Sequence, residues 1–265
     1  MSQAYFATRN NTKVTAQKGG TALLPCTVLT QTSALVSWVR RRDFQLLTVG
    51  LSTYSSDERF LVHHIRHMGH WALRIKAVRD EDQGLYECQL SVHPVQSVFV
   101  ELKVVDAVAD IVGAPDLHID EGSTLRLECK LKRATEYPDY VFWYHQESMV
   151  NFDQQNGFSV TPFQPKPRAS SSTPSSTSST PIATTGSNND SGELLATDLT
   201  AGFSAAEEQL HQWALNQSGF LPYSHILSPA TSVLTIKEVH SKHAGNYTCA
   251  PSNTRPASIT VHVLQ

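Results

Sequence analysis

Asp82-Gln83-Gly84-Leu85-Tyr86-Glu87-Cys88 and His243-Ala244-Gly245-Asn246-Tyr247-Thr248-Cys249 are two copies of one motif. Each ends in Tyr-x-Cys, and each is preceded by a cysteine and then a tryptophan. Cys26 and Trp38 precede the first copy, and Cys129 and Trp143 the second. Cys…Trp…Tyr-x-Cys is the frame of an immunoglobulin sandwich. The cysteines bridge two facing sheets, the tryptophan packs on the bridge, and the tyrosine forms the corner two residues before the second cysteine. The chain has 4 cysteines, so two tandem frames leave none over. The frame predicts bridges Cys26–Cys88 and Cys129–Cys249. It predicts an all-β chain of two tandem immunoglobulin-like β-sandwiches.

Bulk properties agree. The 265 residues suffice for two domains, and a hydrophobic content of 40% suffices for two cores. A net charge of −3 offers no broad basic surface, so no nucleic-acid partner is expected. An even cysteine count in this spacing implies an oxidising compartment. Met1-Ser2-Gln3-Ala4-Tyr5-Phe6 has no apolar core of a signal peptide. No stretch approaches the length of about 18 apolar residues that a membrane span needs. A disulfide-built chain of this kind is expected to be a piece of a longer protein. Its leader and membrane tail would lie outside this sequence, and membrane contact is expected only through such an anchor.

The first domain is expected over residues 5–105. Ala22, Leu24, Cys26 and Val28 alternate, as do Trp71, Leu73 and Ile75, and again Val98, Val100, Leu102 and Val104. This is the period of a strand with one buried face. The cysteines lie 62 residues apart, which leaves room for extra strands and predicts a variable-type sandwich. Arg59 and Asp82 are expected to pair at the bottom of that domain. Residues 106–110 read as a short connector, without a flexible Gly/Ser run, so the two domains are expected to hold a fixed end-to-end relation. The second domain is expected over residues 111–265. Its cysteines lie 120 residues apart. The excess comes from residues 163–223, a Ser/Thr/Pro-rich stretch whose composition predicts a disordered loop insertion with a short helix over 193–216.

No nucleophile elbow, phosphate loop, dinucleotide fingerprint or C-x-x-C is present, so neither catalysis nor a cofactor is expected. His63-His64-Ile65-Arg66-His67-Met68-Gly69-His70 is the one metal-like run, and between two strands it reads as a polar loop. In a variable-type domain the broad sheet turns one face outward, and alternation assigns that face. Ser37, Val39 and Arg41 point out if Trp38 points in; Glu87, Gln89 and Ser91 point out if Tyr86 and Cys88 point in; Phe99 points out between Val98 and Val100. Leu46, Thr48 and Val49 lie on the adjacent strand, where a bulge decides which of them faces solvent. These ten residues form the expected partner-binding face, an apolar centre within a polar rim. Four N-x-S/T sequons, at Asn10, Asn189, Asn216 and Asn246, are expected glycosylation sites.

Longer runs carry a family resemblance. Ser37-Trp38-Val39-Arg40-Arg41-Arg42-Asp43, Leu46-Leu47-Thr48-Val49-Gly50 and Asp57-Glu58-Arg59-Phe60 resemble the first immunoglobulin domain of the arthropod Dpr (defective proboscis extension response) proteins. Gly113-Ala114-Pro115-Asp116-Leu117-His118-Ile119-Asp120-Glu121-Gly122-Ser123-Thr124-Leu125, Phe142-Trp143-Tyr144-His145 and Ala244 to Asn253 resemble their second. The resemblance implies a neuronal cell-surface recognition protein without catalysis. It implies partners of the Dpr-interacting (DIP) immunoglobulin family, bound through the first domain, a role in synaptic partner choice, and a place on the outer face of the neuronal plasma membrane. It leaves room for a weak homodimer. The alternative expectation is a secreted immunoglobulin decoy or humoral defence factor, which needs no anchor. The 163–223 insertion departs from the family pattern.

Overall fold

The computed structural model describes residues 5–29, 33–165 and 223–265, and none of these is α-helical. The expected insertion helix, and nearly all of the 163–223 segment, fall outside the described residues. The first sandwich is built from β1 (Thr12–Gln17), β2 (Ala22–Leu24), β3 (Val36–Arg40), β4 (Gln45–Val49), β5 (Ser52–Thr53), β6 (Phe60–Ile65), β7 (His70–Ile75), β8 (Gly84–Leu90) and β9 (Gln96–Val105). A broad sheet has the order β1-β9-β8-β3-β4-β5, and a smaller sheet β2-β7-β6 faces it. The second sandwich contains β10 (Val108–Ile111), β11 (Asp116–Asp120), β12 (Leu125–Lys132), β13 (Val141–His145), β14 (Ser148–Met149), β15 (Phe158–Pro165), β16 (Ala230–Ile236), β17 (Gly245–Pro251) and β18 (Ala257–Leu264). Its sheets are β10-β12-β16-β15 and β11-β18-β17-β13-β14.

Each sandwich closes over its own core. Trp38, Leu24, Leu47, Phe60, Leu73, Ile75, Tyr86 and Leu102 are buried around the Cys26–Cys88 disulfide in the first. Trp143, Leu125, Leu127, Leu234, Ile236 and Tyr247 are buried around Cys129–Cys249 in the second. The polar tip of each tryptophan is satisfied, as burial demands. Trp38 Nε1 donates to the Trp71 carbonyl at 2.8 Å, and Trp143 Nε1 to Ser232 Oγ at 3.0 Å. Both tyrosine corners form: Tyr86 Oη donates to the Asp82 carbonyl at 2.7 Å and Tyr247 Oη to the His243 carbonyl at 2.6 Å. Burial pushes both phenols well above their ordinary value.

Two boundaries differ from expectation. Residues 108–111, read mostly as connector, pair antiparallel with β12, Val108 opposite Lys132 and Ile111 opposite Cys129. Residues 163–165, read as the start of the insertion, continue β15, with Gln164 opposite Thr231 and Pro165 opposite Ala230. In both places a paired backbone satisfies its N–H and C=O groups in a ladder that composition alone does not reveal.

The two corners solve one problem with different chemistry. In the first sandwich Asp82 is buried and receives both terminal nitrogens of Arg59, at 2.6 and 2.9 Å, and the Arg79 backbone N–H at 2.8 Å. Arg59 also grips Asp57, and the two carboxylates hold its guanidinium protonated, above its ordinary value, against the opposing effect of burial. In the second sandwich the matching residue is His243, also buried. Its Nδ1 accepts the His240 N–H at 2.9 Å, so Nε2 carries the proton and faces the Asn156 carbonyl at 3.0 Å. Burial is the first cause that lowers the His243 pKa. The Asn156 carbonyl opposes it, and Lys242, His240 and His145 add to the lowering.

Two outcomes follow for thermal unfolding. Arg59→Ala leaves Asp82 a buried charge without its cation, and about 3 kcal/mol of stability is lost. A change below about 0.5 kcal/mol, the scale of an ordinary surface substitution, refutes that role. His243 binds protons more weakly folded than unfolded, so its contribution is whole above the unfolded pKa of about 6.5 and is lost as pH falls below it. In melts from pH 7.5 to 5, His243→Gln, which keeps one acceptor and one donor, shows a smaller loss of stability than the parent chain. Equal losses in the two proteins overturn the assignment.

Candidate partner-binding face

The outward face of the broad sheet is assembled in rows across its strands. Leu46 of β4 lies opposite Val39 of β3, Val39 opposite Glu87 of β8, and Glu87 opposite Phe99 of β9. The next row runs Val49, Ser37, Gln89 and Ser97. Arg41 pairs its backbone N–H with the Leu85 carbonyl at the foot of the same face. Ser37, Val39, Arg41, Val49, Gln89 and Phe99 are half-buried, and Leu46 is exposed. Ser91 sits exposed at the end of the sheet, where its Oγ accepts the Leu35 N–H at 2.8 Å.

Thr48 is a correction. A bulge shifts the β3–β4 register between Trp38 and Val39, so Thr48 lies opposite the inward Trp38. It is 1% exposed and its Oγ1 is buried without a hydrogen-bond partner. A bulge sets two residues of one strand against one of the other, which breaks the alternation beyond it. Leu47 and Thr48 therefore both turn to the core, and Leu46 and Val49 turn out.

Glu87 and Arg41 anchor the face electrostatically. Glu87 is buried to 5% exposure, and Arg41 Nη1 donates to its Oε2 at 2.9 Å. Burial alone would raise the Glu87 pKa. Hydrogen bonds from Ser97, Arg41 and Gln89 outweigh it and hold the carboxyl below the usual range. The Arg41 guanidinium also lies over two rings, 4.5 Å from the centre of Phe44 and 5.4 Å from that of Phe99. Cation–π contact and the ion pair together restrict the long Arg41 side chain before any partner arrives.

Sequence reasoning missed Phe44 and Leu51. Both are exposed, at 67% and 69%, Phe44 just before β4 and Leu51 in the turn that follows it. Phe44 has φ 54°, a left-handed conformation that a bulky residue adopts at a cost. With Leu46, Val39, Val49 and Phe99 they supply the apolar side chains of this region; the buried Glu87 stands between Val39 and Phe99 rather than at the expected rim, and Arg41 lies over Phe44 and Phe99.

The remaining expected sites fall elsewhere. His63 and His64 lie in β6 and His70 in β7, while His67 lies in the turn Arg66–Met68. His64 stacks on Trp71 with ring centres 3.6 Å apart, and His70 Nδ1 is 2.7 Å from Thr27 Oγ1. Among the described residues no group of three or more His, Cys, Asp or Glu could hold a metal ion. No helix of the described residues is long and apolar enough to cross a membrane. Asn10 is exposed; Asn246 is half-buried and its Nδ2 donates to Thr248 Oγ1 at 3.3 Å. Asn189 and Asn216 lie outside the described residues.

Comparison with known proteins places the first sandwich. Residues 9–105 match the immunoglobulin V-set domain model. The chain is 27% identical over 140 residues to the limbic system-associated membrane protein of Rattus norvegicus, covering 52% of this chain and 39% of that protein. It is 28% identical over 141 residues to lachesin of Schistocerca americana, covering 50% of this chain and 40% of that one. The chain thus spans about two fifths of the length of these curated relatives. The solved structure of Dpr11 IG1 bound to DIP-gamma IG+IG2 is 42% identical over 36% of this chain and 99% of that chain, with a TM-score of 0.34. Residues 9–105 are therefore an immunoglobulin V-set domain, and its broad sheet is the one that carries the apolar face.

Proposed function

We propose that this chain is a cell-surface recognition protein of the Dpr type. It binds immunoglobulin domains of the DIP kind through the outer face of its V-set domain. On a neuronal surface such binding contributes to synaptic partner choice. The observation that carries the proposal is the set of apolar side chains Phe44, Leu46, Val39, Val49, Leu51 and Phe99 on and beside the outer broad sheet, with the Arg41–Glu87 pair set among them. A large exposed apolar patch with a polar rim marks an interaction surface, and aromatic and arginine residues dominate the energetics of such surfaces. The curated relatives, one a limbic system-associated membrane protein, support a cell-surface setting. The long residue runs shared with the Dpr pattern support the partner class.

The face also explains what a partner would gain. Arg41 and Glu87 are already paired and Arg41 is already stacked, so little side-chain freedom is lost on docking. The centre supplies apolar area without an unpaired charge. A docking sheet would have most to bury at Phe44 and Leu51, which are more exposed than Leu46.

The test is surface plasmon resonance of the full chain against a panel of arthropod immunoglobulin ectodomains, DIP-type members included. Phe44→Asp and Leu51→Asp, both at exposed positions that leave the core intact, weaken binding by about 30-fold or more, the scale of a hot-spot loss of about 2 kcal/mol. Thr48→Val leaves binding unchanged and raises stability by about 1 kcal/mol, because it removes a buried hydroxyl without a partner. If both aspartate variants bind like the parent, the proposed face is wrong.

A further inference from the structure

We propose that Asn10 carries an N-linked glycan, and that this glycan walls the β9 edge of the proposed face and disfavours pairing between two copies of the chain. The second half rests on the reading of that face as the partner-binding surface; the first half does not.

The sequon is Asn10-Asn11-Thr12, and its side-chain geometry is prepared for modification. Asn10 is exposed. Its Oδ1 accepts the Phe99 backbone N–H at 2.9 Å, which fixes the orientation of the amide. Nδ2 therefore points away from Phe99, and among the described residues it has no hydrogen-bond partner. Glycosylation occurs at that nitrogen. The Nδ2–C1 bond to the first sugar forms and the C1–O bond to a lipid-linked diphosphate donor breaks. The diphosphate leaves, and Nδ2 loses one proton. The primary amide becomes a secondary one with its carbonyl unchanged, so Oδ1 keeps its bond to Phe99.

The other described sequon is built differently. The Asn246 amide is half-buried in the middle of a sheet and already donates to Thr248 Oγ1. Asn11 has φ 59°, so the chain turns sharply between Asn10 and β1 and lifts Asn10 to the rim. β1 then runs parallel to β9, with Thr12 opposite Val100. The glycan is thereby placed at the flank of Phe99, on the side of the face away from Leu46 and Leu51.

A bulky hydrated glycan at this edge does not obstruct the two kinds of interface equally. Two copies that pair by this face form an isologous contact, in which the same edge occurs twice. The glycan is met twice there. A different immunoglobulin domain docked on the Leu46–Leu51 side meets it once, or passes it by. The glycan thus acts as a selective obstacle, by crowding rather than by contact.

The experiment uses the full chain exported from cultured insect cells behind a signal sequence. Peptide mapping after amidase release, which converts a sugar-bearing asparagine to aspartate, should find position 10 modified in the parent and in Thr12→Ser, and unmodified in Thr12→Val. An unmodified Asn10 in the parent overturns the site. Sedimentation equilibrium then compares parent, Thr12→Ser, Thr12→Val and the enzymatically deglycosylated parent. The two glycan-free forms should self-associate about tenfold more tightly than the two glycosylated forms. Equal self-association in all four, including none in any, overturns the selective role. Phe44→Asp and Leu51→Asp report separately on the face itself, so an occupied Asn10 on a chain whose face binds nothing is distinguishable from an empty sequon on a chain whose face binds.

Discussion

Trp38 lies opposite Cys88 in the β3–β8 ladder, buried in the same cluster as the Cys26–Cys88 bridge, with its indole N–H given to the Trp71 carbonyl. That packing has one available side. Once the ring is committed to the core, the residues on either side of it in β3 must turn out. Cross-strand pairing then carries the constraint to β8 and β9, because a residue opposite an outward one is itself outward. Val39, Glu87 and Phe99 are one row for this reason, three strands wide. The apolar face is therefore a consequence of how the core is filled, and sliding β3 or β8 by one residue would drive Trp38 or Cys88 into solvent.

The same constraint makes Glu87 unusual. The row placed it between Val39 and Phe99, where its neighbours exclude water from most of its surface. A carboxylate so covered is stable only if its oxygens are bonded, and Arg41, Ser97 and Gln89 supply the donors. Arg41 is in turn covered by Phe44 and Phe99. A charged pair under two aromatic rings is an internal network laid on the outside of a domain. It gives the face order in the absence of a partner, which a set of loose surface side chains does not.

The sandwich frames were legible in the chain because each rests on residue types that have few other uses in this spacing: a buried tryptophan, a tyrosine two residues before a cysteine, and an even cysteine count. The outward residues of β3, β8 and β9 were legible because those strands are regular and alternate with period two. Thr48 was not, because a bulge is a local insertion that leaves the composition of the strand unchanged. Phe44 was not, because an aromatic residue at positive φ is the reverse of what turn propensity predicts. Residues 108–111 were read mostly as connector from their position between two cysteine frames, although Val108-Ala109-Asp110-Ile111 pairs as a strand. Pairing is a property of the partner strand as much as of the segment, and a partner some twenty residues away is invisible to a local reading.

The junction between the two sandwiches is held by directed polar contacts from Ser224, which bonds Thr15, Thr21 and Leu23, and from Gln17. Gln17, at the end of β1, is buried. Its backbone N–H donates to Thr135 Oγ1 at 2.9 Å, its Oε1 accepts the backbone N–H groups of Thr135 and Glu136 at 2.9 and 3.3 Å, and its Nε2 reaches the Asn253 carbonyl at 3.4 Å. Asn253 Nδ2 donates in turn to the Glu136 carbonyl at 3.1 Å. These bonds are directional, so they specify an angle between the sandwiches where a greasy contact would tolerate sliding. Each of these bonds has one backbone end, which has no rotamers to lose. The connector that follows β9 is short and largely taken up by β10, so the chain has little slack with which to open the junction. The broad sheet of the first sandwich is thereby tied to the second through bonds that each have a preferred direction.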